Sequence, residues 1–341
     1  MTGAVGLVAI AVSSFAVSSI LTAYLASDRA RLRWLDHPNQ RSLHTRPVPR
    51  TGGLGILAGM AVGWIAMAWA FAFPAGWSWV LGGMLLVAGV SLLDDWRGVG
   101  VVPRLLVQFS AATLLVGAGL AAEHLALPGV EWHWPPWLGA MLTVAFVVWM
   151  ANLYNFMDGM DGLAGGMALI GFVFMSLLGF LAGDALFGLF TLTVALAAAG
   201  FLLFNFPPAR LFMGDAGAST LGFVAAVSML WAAREGLFPL WAGILIFSPF
   251  IVDATATLVS RGFAGARVWE AHRSHCYQIL AQSGWGHRRT VLAEYLLMCL
   301  AGGSAAVAVV SNHAGVQVLN LAVWTAVYGI IWVQVRGIFS R

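Results

Sequence analysis

The chain has 341 residues, of which 60% are hydrophobic and 9% charged, with a mean hydropathy of +0.87. About a quarter of the residues of a soluble globular domain are charged, so that class is excluded; a membrane barrel would alternate apolar and polar residues, whereas here apolar runs continue for about twenty residues, the length of a membrane-crossing helix. The net charge of +3 and the pI near 9.2 are an arginine effect, since all 17 basic residues are Arg, which excludes Schiff-base and P-loop lysine chemistry and makes nucleic acid a poor partner.

The pattern predicts an all-α, polytopic membrane protein that forms one domain over residues 1–341. Apolar spans are expected at about 4–26, 52–73, 77–93, 105–122, 137–151, 163–182, 185–205, 218–232, 237–259, 290–310 and 315–335, about eleven in all. The first span has no basic residue before it and a cluster of arginines after it, the reverse of a signal peptide, so it is expected to stay as a helix. With the N-terminus outside, the inner segments hold Arg29, Arg31, Arg33, Arg41, Arg46 and Arg50, then Arg97 and Arg104, then Arg210, then Arg261, Arg267, Arg273, Arg288 and Arg289, and finally Arg336 and Arg341. Only Arg234 is left outside, and this bias predicts N-terminus out and C-terminus in. Trp132, Trp134 and Trp137 in an outer loop suit an interfacial aromatic belt. Cys276, in a loop, and Cys299, in an apolar helix, suggest no disulfide framework.

The same assignment puts the unusual polar stretches on the inner face. Arg41 to Gly53 reads R-S-L-H-T-R-P-V-P-R-T-G-G; Arg46 and Arg50 there can reach lipid or substrate phosphates, or simply sit beside anionic headgroups. Asp94 and Asp95 end the third span, where acid opposes the helix dipole, so the pair points to an ion or a proton rather than to a helix stop. Asn152 to Gly162 reads N-L-Y-N-F-M-D-G-M-D-G. Its Asn155, Asp158 and Asp161, spaced by three, are expected on one helical stripe, where amide and carboxylate together can pair with a nucleobase edge or a ribose. Unpaired carboxylates beside hydrocarbon are costly unless an ion or a substrate uses them. In Phe206 to Gly217, F-P-P-A-R-L-F-M-G-D-A-G, Asp215 lies between glycines and reads either as a metal ligand or as the cap of the eighth span. Asp253, inside the ninth span, is expected to make an interhelical hydrogen bond or ion pair. Glu270 to Gln278, E-A-H-R-S-H-C-Y-Q, offers His272, Arg273 and His275 to a pyrophosphate, a reading preferred to zinc because no further ligand has the spacing.

Carboxylates for a divalent cation, arginines and histidines for phosphates and amides for a base are the equipment of phosphoryl transfer from a nucleotide to a membrane-embedded acceptor. The motifs R-P-V-P-R-T-G-G, L-D-D-W-R-G, N-L-Y-N-F-M-D-G-M-D-G-L-A-G and R-L-F-M-G-D-A-G resemble the polyprenyl-phosphate N-acetylhexosamine-1-phosphate transferases of glycosyltransferase family 4, and in particular the members that initiate O-antigen. The resemblance covers nearly the whole chain. It implies transfer of an N-acetylamino-sugar 1-phosphate from a UDP-sugar to undecaprenyl phosphate with release of UMP, in a bacterial inner membrane with the active site toward the cytoplasm. It implies Asp215 as ligand of Mg2+, with Mn2+ as a substitute ion, and Asp94 and Asp95 at the acceptor phosphate, one of them as base. Asp158 and Asp161 complete the catalytic set. The resemblance places Asn155, Asp158, Asp161 and Asn205, with Phe212, around the uridine and sugar phosphate; Asn152 joins the substrate-binding set, and Arg104 stands where the family often has Lys. The His272 to His275 run departs from the family's denser histidine motif and leaves the donor sugar open. A second copy of the chain is an admissible partner. The alternatives are a lipid-linked sugar flippase, which would release no UMP, and a CDP-alcohol phosphotransferase, which needs an Ala-Arg pair absent from Asp158 to Gly162.

Overall fold

The computed structural model describes residues 3–32, 34–38, 46–267 and 272–339. Arg33, Arg41 and Arg341 of the arginine bias, the 41–45 part of the Arg41 to Gly53 stretch and Glu270 and Ala271 of the histidine run lie outside the described residues.

Every predicted apolar segment meets a helix. After α1 (Ala4–Leu25), an antiparallel clip of β1 (Leu35–Asp36) on β2 (Val48–Pro49) leads to α2 (Gly52–Ala68), α3 (Trp77–Arg97) and α4 (Val101–Gly117). A hairpin of β3 (His124–Leu127) and β4 (Val130–His133), turning at Pro128-Gly129, precedes α5 (Pro136–Met157), α6 (Leu163–Leu181), α7 (Ala185–Asn205) and α8 (Gly214–Arg234). There follow α9 (Leu240–Ile246), α10 (Ser248–Phe263), the short α11 (Cys276–Leu280), a π-helical turn over Ala281–Trp285, α12 (Gly286–Ser311) and α13 (Ala314–Phe339). By length and composition, eight described helical stretches can cross a membrane, or nine if α9 and α10 form one span; α2 and α4, with 17 residues each, are shorter apolar helices.

Several boundaries differ from expectation for local reasons. The ninth span is two helices bent by 82°, because Pro249 in the first turn of α10 has no N–H to continue α9. α3 runs through both aspartates to Arg97, and α8 starts at Gly214, four residues before the predicted 218. Cys276 is the buried first residue of α11 and not a loop residue.

α8 is the axis of the bundle and is buried along nearly its whole length between α3, α5 and α2. Far from its N-terminus, Trp231 stacks edge-on against Trp77 and Phe187, with ring centroids 4.8 and 4.9 Å away. Where helices cross closely, small hydroxyls bind the neighbouring backbone: Ser14 Oγ donates to Gly59 O (2.9 Å) and Thr193 O (2.8 Å), and Ser18 Oγ to Ala197 O (2.6 Å). The up-and-down order brings the starts of α2, α4, α6 and α8 and the ends of α3, α5 and α7 to one end of the bundle. Asp94, Asp95, Asp158, Asp161 and Asp215 are found there.

Candidate active site

The start of α8 is built by two neighbours. The β2 clip and α2 hold the loop before it: Phe212 N donates to Pro49 O (2.8 Å), while Gly52 N and Gly53 N donate to Phe212 O (2.9 Å) and Met213 O (2.7 Å). A Cβ on Gly53 would stand 2.4 Å from Gly217 N, so the two helix backbones abut and only glycine fits. From the other side, α3 delivers Asp95, whose Oδ1 and Oδ2 accept the N–H groups of Asp215 and Ala216, each at 3.0 Å. Asp95 is 2% exposed, and Arg50 donates to its backbone carbonyl at 2.7 Å. A carboxylate on the open N–H groups of a first helical turn is favoured by hydrogen bonding and by the helix dipole. The sequence read Asp95 as base or ion ligand; both its oxygens are occupied in holding the backbone under Asp215.

Asp215 is thereby aimed at α4. Arg104 Nη1 lies 2.8 Å from its Oδ2 and also touches Asp94 Oδ2, so one guanidinium bridges carboxylates from α3 and α8. Asn155 lies against the Asp215 carboxylate from α5. Asp158 follows at the end of α5, outside the spans. Burial, reinforced by the negative charge of Asp215, Asp95 and Asp161, holds its carboxyl well above the usual carboxylate range. Asp94, Asp95, Asp158 and Asp215 thus lie near one another, with Arg104 and Arg50 as the cations beside them.

Asn155, Asp158 and Asp161 do not share a helical stripe. α5 ends at Met157, Asp158 has left helical geometry (φ −82°, ψ 50°), and Gly162 takes φ +77° to start α6. The 158–162 loop is clamped on all sides. Asp161 Oδ2 accepts from Ala209 N (3.0 Å) and lies 3.2 Å from His287 Nδ1; Gly162 N donates to Asn205 Oδ1 (2.9 Å); and Tyr295 Oη donates to Gly162 O (2.6 Å). Asn205 also donates to Leu211 O (2.9 Å), which joins this loop to the one before α8. Asp161 and Asn205 are fasteners of the site, and Asp158 is the carboxylate left available.

Other expected residues lie apart. Asn152 uses Nδ2 on buried Gln108 Oε1 (2.6 Å) and Val148 O (2.7 Å), an α4–α5 contact one turn deeper. Arg46 is exposed before β2 and makes none of the contacts of the carboxylate cluster. Of the histidine run, Arg273 is exposed, His275 is buried with Nδ1 3.6 Å from Asp253 Oδ1, and the half-buried His272 ring lies 4.8 Å from that of His275. Burial, then the neighbouring His275 and Arg261, pull the His272 pKa down to about 4. It is neutral at pH 7, which weakens the expected cationic grip on a pyrophosphate. Because the native state binds fewer protons than the unfolded chain between this value and the ordinary 6.5, stability contributed by His272 is expected to fall as the pH drops through that window. An NMR titration of the His272 imidazole should show no protonation above pH 5, and a midpoint near 6.5 would contradict the assignment.

Gln108, Tyr277, His287 and Tyr295 carry no local signal, because their roles depend on contacts more than forty residues away. A cavity of about 370 Å3 opens at the far end of α8 among Glu123, His124 and Arg234, and none of the candidate residues lines it.

The sequence profile of Glycosyl transferase family 4 matches residues 77–233, which contain Asp94, Arg104, Asp158 and Asp215. A decaprenyl-phosphate N-acetylglucosaminephosphotransferase of Mycobacterium leprae is 31% identical over 96% of this chain and 89% of its own length. A probable undecaprenyl-phosphate N-acetylglucosaminyl 1-phosphate transferase of Bacillus subtilis is 29% identical over 82% of this chain and 78% of its own. A phospho-N-acetylmuramoyl-pentapeptide-transferase of Moorella thermoacetica is 31% identical over 58% and 61%. With the site gathered at one end of the bundle and this degree of identity along nearly the whole chain, the protein belongs to glycosyl transferase family 4, the polyprenyl-phosphate N-acetylhexosamine-1-phosphate transferases.

Proposed function

We infer that the protein transfers an N-acetylamino-sugar 1-phosphate from a UDP-sugar to undecaprenyl phosphate, for synthesis of a surface polysaccharide of the O-antigen type. The reaction would take place at the cytoplasmic face of a bacterial inner membrane, with the N-terminus outside and the C-terminus inside. The observation that carries this reading is the Arg104 guanidinium held between Asp94 and Asp215, from two separate helices, with Asn155 against Asp215 and Asp158 near enough to be affected by its charge.

The terminal oxygen of the lipid phosphate attacks the β-phosphorus of the UDP-sugar; the bond from that phosphorus to the bridging oxygen breaks, and UMP leaves. A phosphate monoester has a second pKa near 6, so the acceptor is mostly ionised at pH 7 and needs no strong base. That fits an Asp95 committed to α8. Hard carboxylate oxygens suit Mg2+, or Mn2+ in its place; among the described residues no three His, Cys, Asp or Glu side chains are spaced to hold an ion, so Asp215 with Asp94 would supply two ligands and the substrate phosphates the rest. When bound, such an ion neutralises the charge that develops on the transferring phosphates. Arg104, already between Asp94 and Asp215, can turn its fork to a phosphate oxygen, and Asn155 has the mixed donors and acceptors that a ribose or base edge asks for.

The test is UMP release by the purified protein given undecaprenyl phosphate and a panel of UDP-N-acetylamino sugars. UMP should appear in step with lipid-diphosphate-sugar and require a divalent cation. Release with none of the sugars, or release that does not need the lipid, would overturn the reading.

A further inference from the structure

Asp253 lies in α10, is 9% exposed and touches none of the carboxylates described above, yet it is fully engaged. Its Oδ1 accepts from Cys276 N (2.9 Å) and from Thr257 Oγ1 (3.1 Å), and its Oδ2 from Tyr277 N (3.3 Å). Those amides are the first two of α11, which as a five-residue helix has little stability of its own and takes its position from what holds its ends. Arg336 of α13 donates to Thr257 Oγ1 at 3.5 Å, and Val335 packs on Cys276 and Ile279, so α11 is held from two sides.

What α11 carries is Tyr277. Its side chain is wholly buried, its hydroxyl donates to Phe156 O at the end of α5 (3.4 Å), and it lies so close to Gly159 that a Cβ there would stand 2.3 Å from Tyr277 Oη. Gly159 is the residue after Asp158. A line of contacts therefore runs from Asp253 through the α11 backbone and the Tyr277 ring to the loop that presents Asp158. We propose that Asp253 is a positioning residue of the transferase: it anchors α11 so that Tyr277 fixes the 158–162 loop, and with it the Asp158 carboxylate. Asp253 thus does for α11 what Asp95 does for α8, accepting the first amides of the helix, with His275 Nδ1 a further 3.6 Å neighbour of its Oδ1.

The activity readout of this proposal rests on the transferase reading above, and its hydrogen-exchange readout does not. In the full-length protein, Asp253→Ala should raise amide exchange in a peptide spanning 157–163 while leaving the 124–133 hairpin unchanged. Turnover should fall by about ten-fold or more, since misplacing a reacting group by about 1 Å can cost up to about 100-fold. KM for undecaprenyl phosphate should stay within about two-fold, because Asp94 and Arg104 lie outside this line of contacts. Asp253→Asn, which keeps one acceptor oxygen, should recover part of both effects and carries the same readouts should the alanine variant not fold. In a Tyr277→Phe background, Asp253→Ala should cost little more, since both act along one line. Unchanged exchange at 157–163, or fully additive losses in the double variant, would overturn the proposal. Wild-type protein that releases no UMP would instead overturn the transferase reading and leave the exchange result standing.

Discussion

Asp215→Asn is expected to lower UMP release by about 100- to 1000-fold, the loss typical when one preorganised electrostatic group is removed from a site, while the melting temperature in detergent stays that of the wild type. The separation of the two effects follows from the geometry. Position 215 is tied to Asp95 through its backbone N–H, which the substitution leaves alone, and Asn has the same shape. Its side chain meets Arg104, Asp94 and Asn155, and of these contacts only the negative charge is lost. Arg104 would remain paired with Asp94, so no charge is stranded. Turnover close to the wild type would remove Asp215 from the metal-binding set.

Asp95 should behave in the opposite way. Asp95→Ala leaves two amides of α8 without acceptors in a buried place, a cost of about 1–3 kcal/mol for each, and frees the turn that aims Asp215. Thermal stability and turnover are expected to fall together, and Asp95→Asn, which keeps one acceptor, should recover part of both. An Asn variant with wild-type melting but no turnover at any pH would restore Asp95 as the catalytic base. Thermal melting and UMP release measured on the same three proteins decide between these results.

The contrast between the two aspartates marks where the sequence stops being informative. Unbroken apolar runs gave the helical segments in order, since length and hydropathy are local properties. Motif composition brought forward Asp94, Asp215, Arg104 and Asn155, which do meet, and Asp158, which lies near them. Some misses had local signals. Gly159 and Gly162 should have ended the Asn155 to Asp161 stripe, Pro249 should have broken the ninth span, and Pro128-Gly129 between short alternating runs is a hairpin turn. Other misses had none. That Asp95 lies under an amide 120 residues later, that Asn152 turns to Gln108 and that Asp253 caps α11 are consequences of helix packing, which spacing along the chain does not encode. Asp94 and Asp95 look equivalent as neighbours, yet a helix turns about 100° per residue, so one faces the cluster and the other the start of α8.

The most direct test of the carboxylate cluster as a sugar-nucleotide site is anomalous diffraction from crystals grown with Mn2+ and a UDP-N-acetylamino sugar. A manganese peak bounded by the carboxylates of Asp215 and Asp94 or Asp158, with the diphosphate beside it and Arg104 turned to a phosphate oxygen, is the expected result. A peak at His272 and His275, or a diphosphate bound away from Asp215, would contradict it.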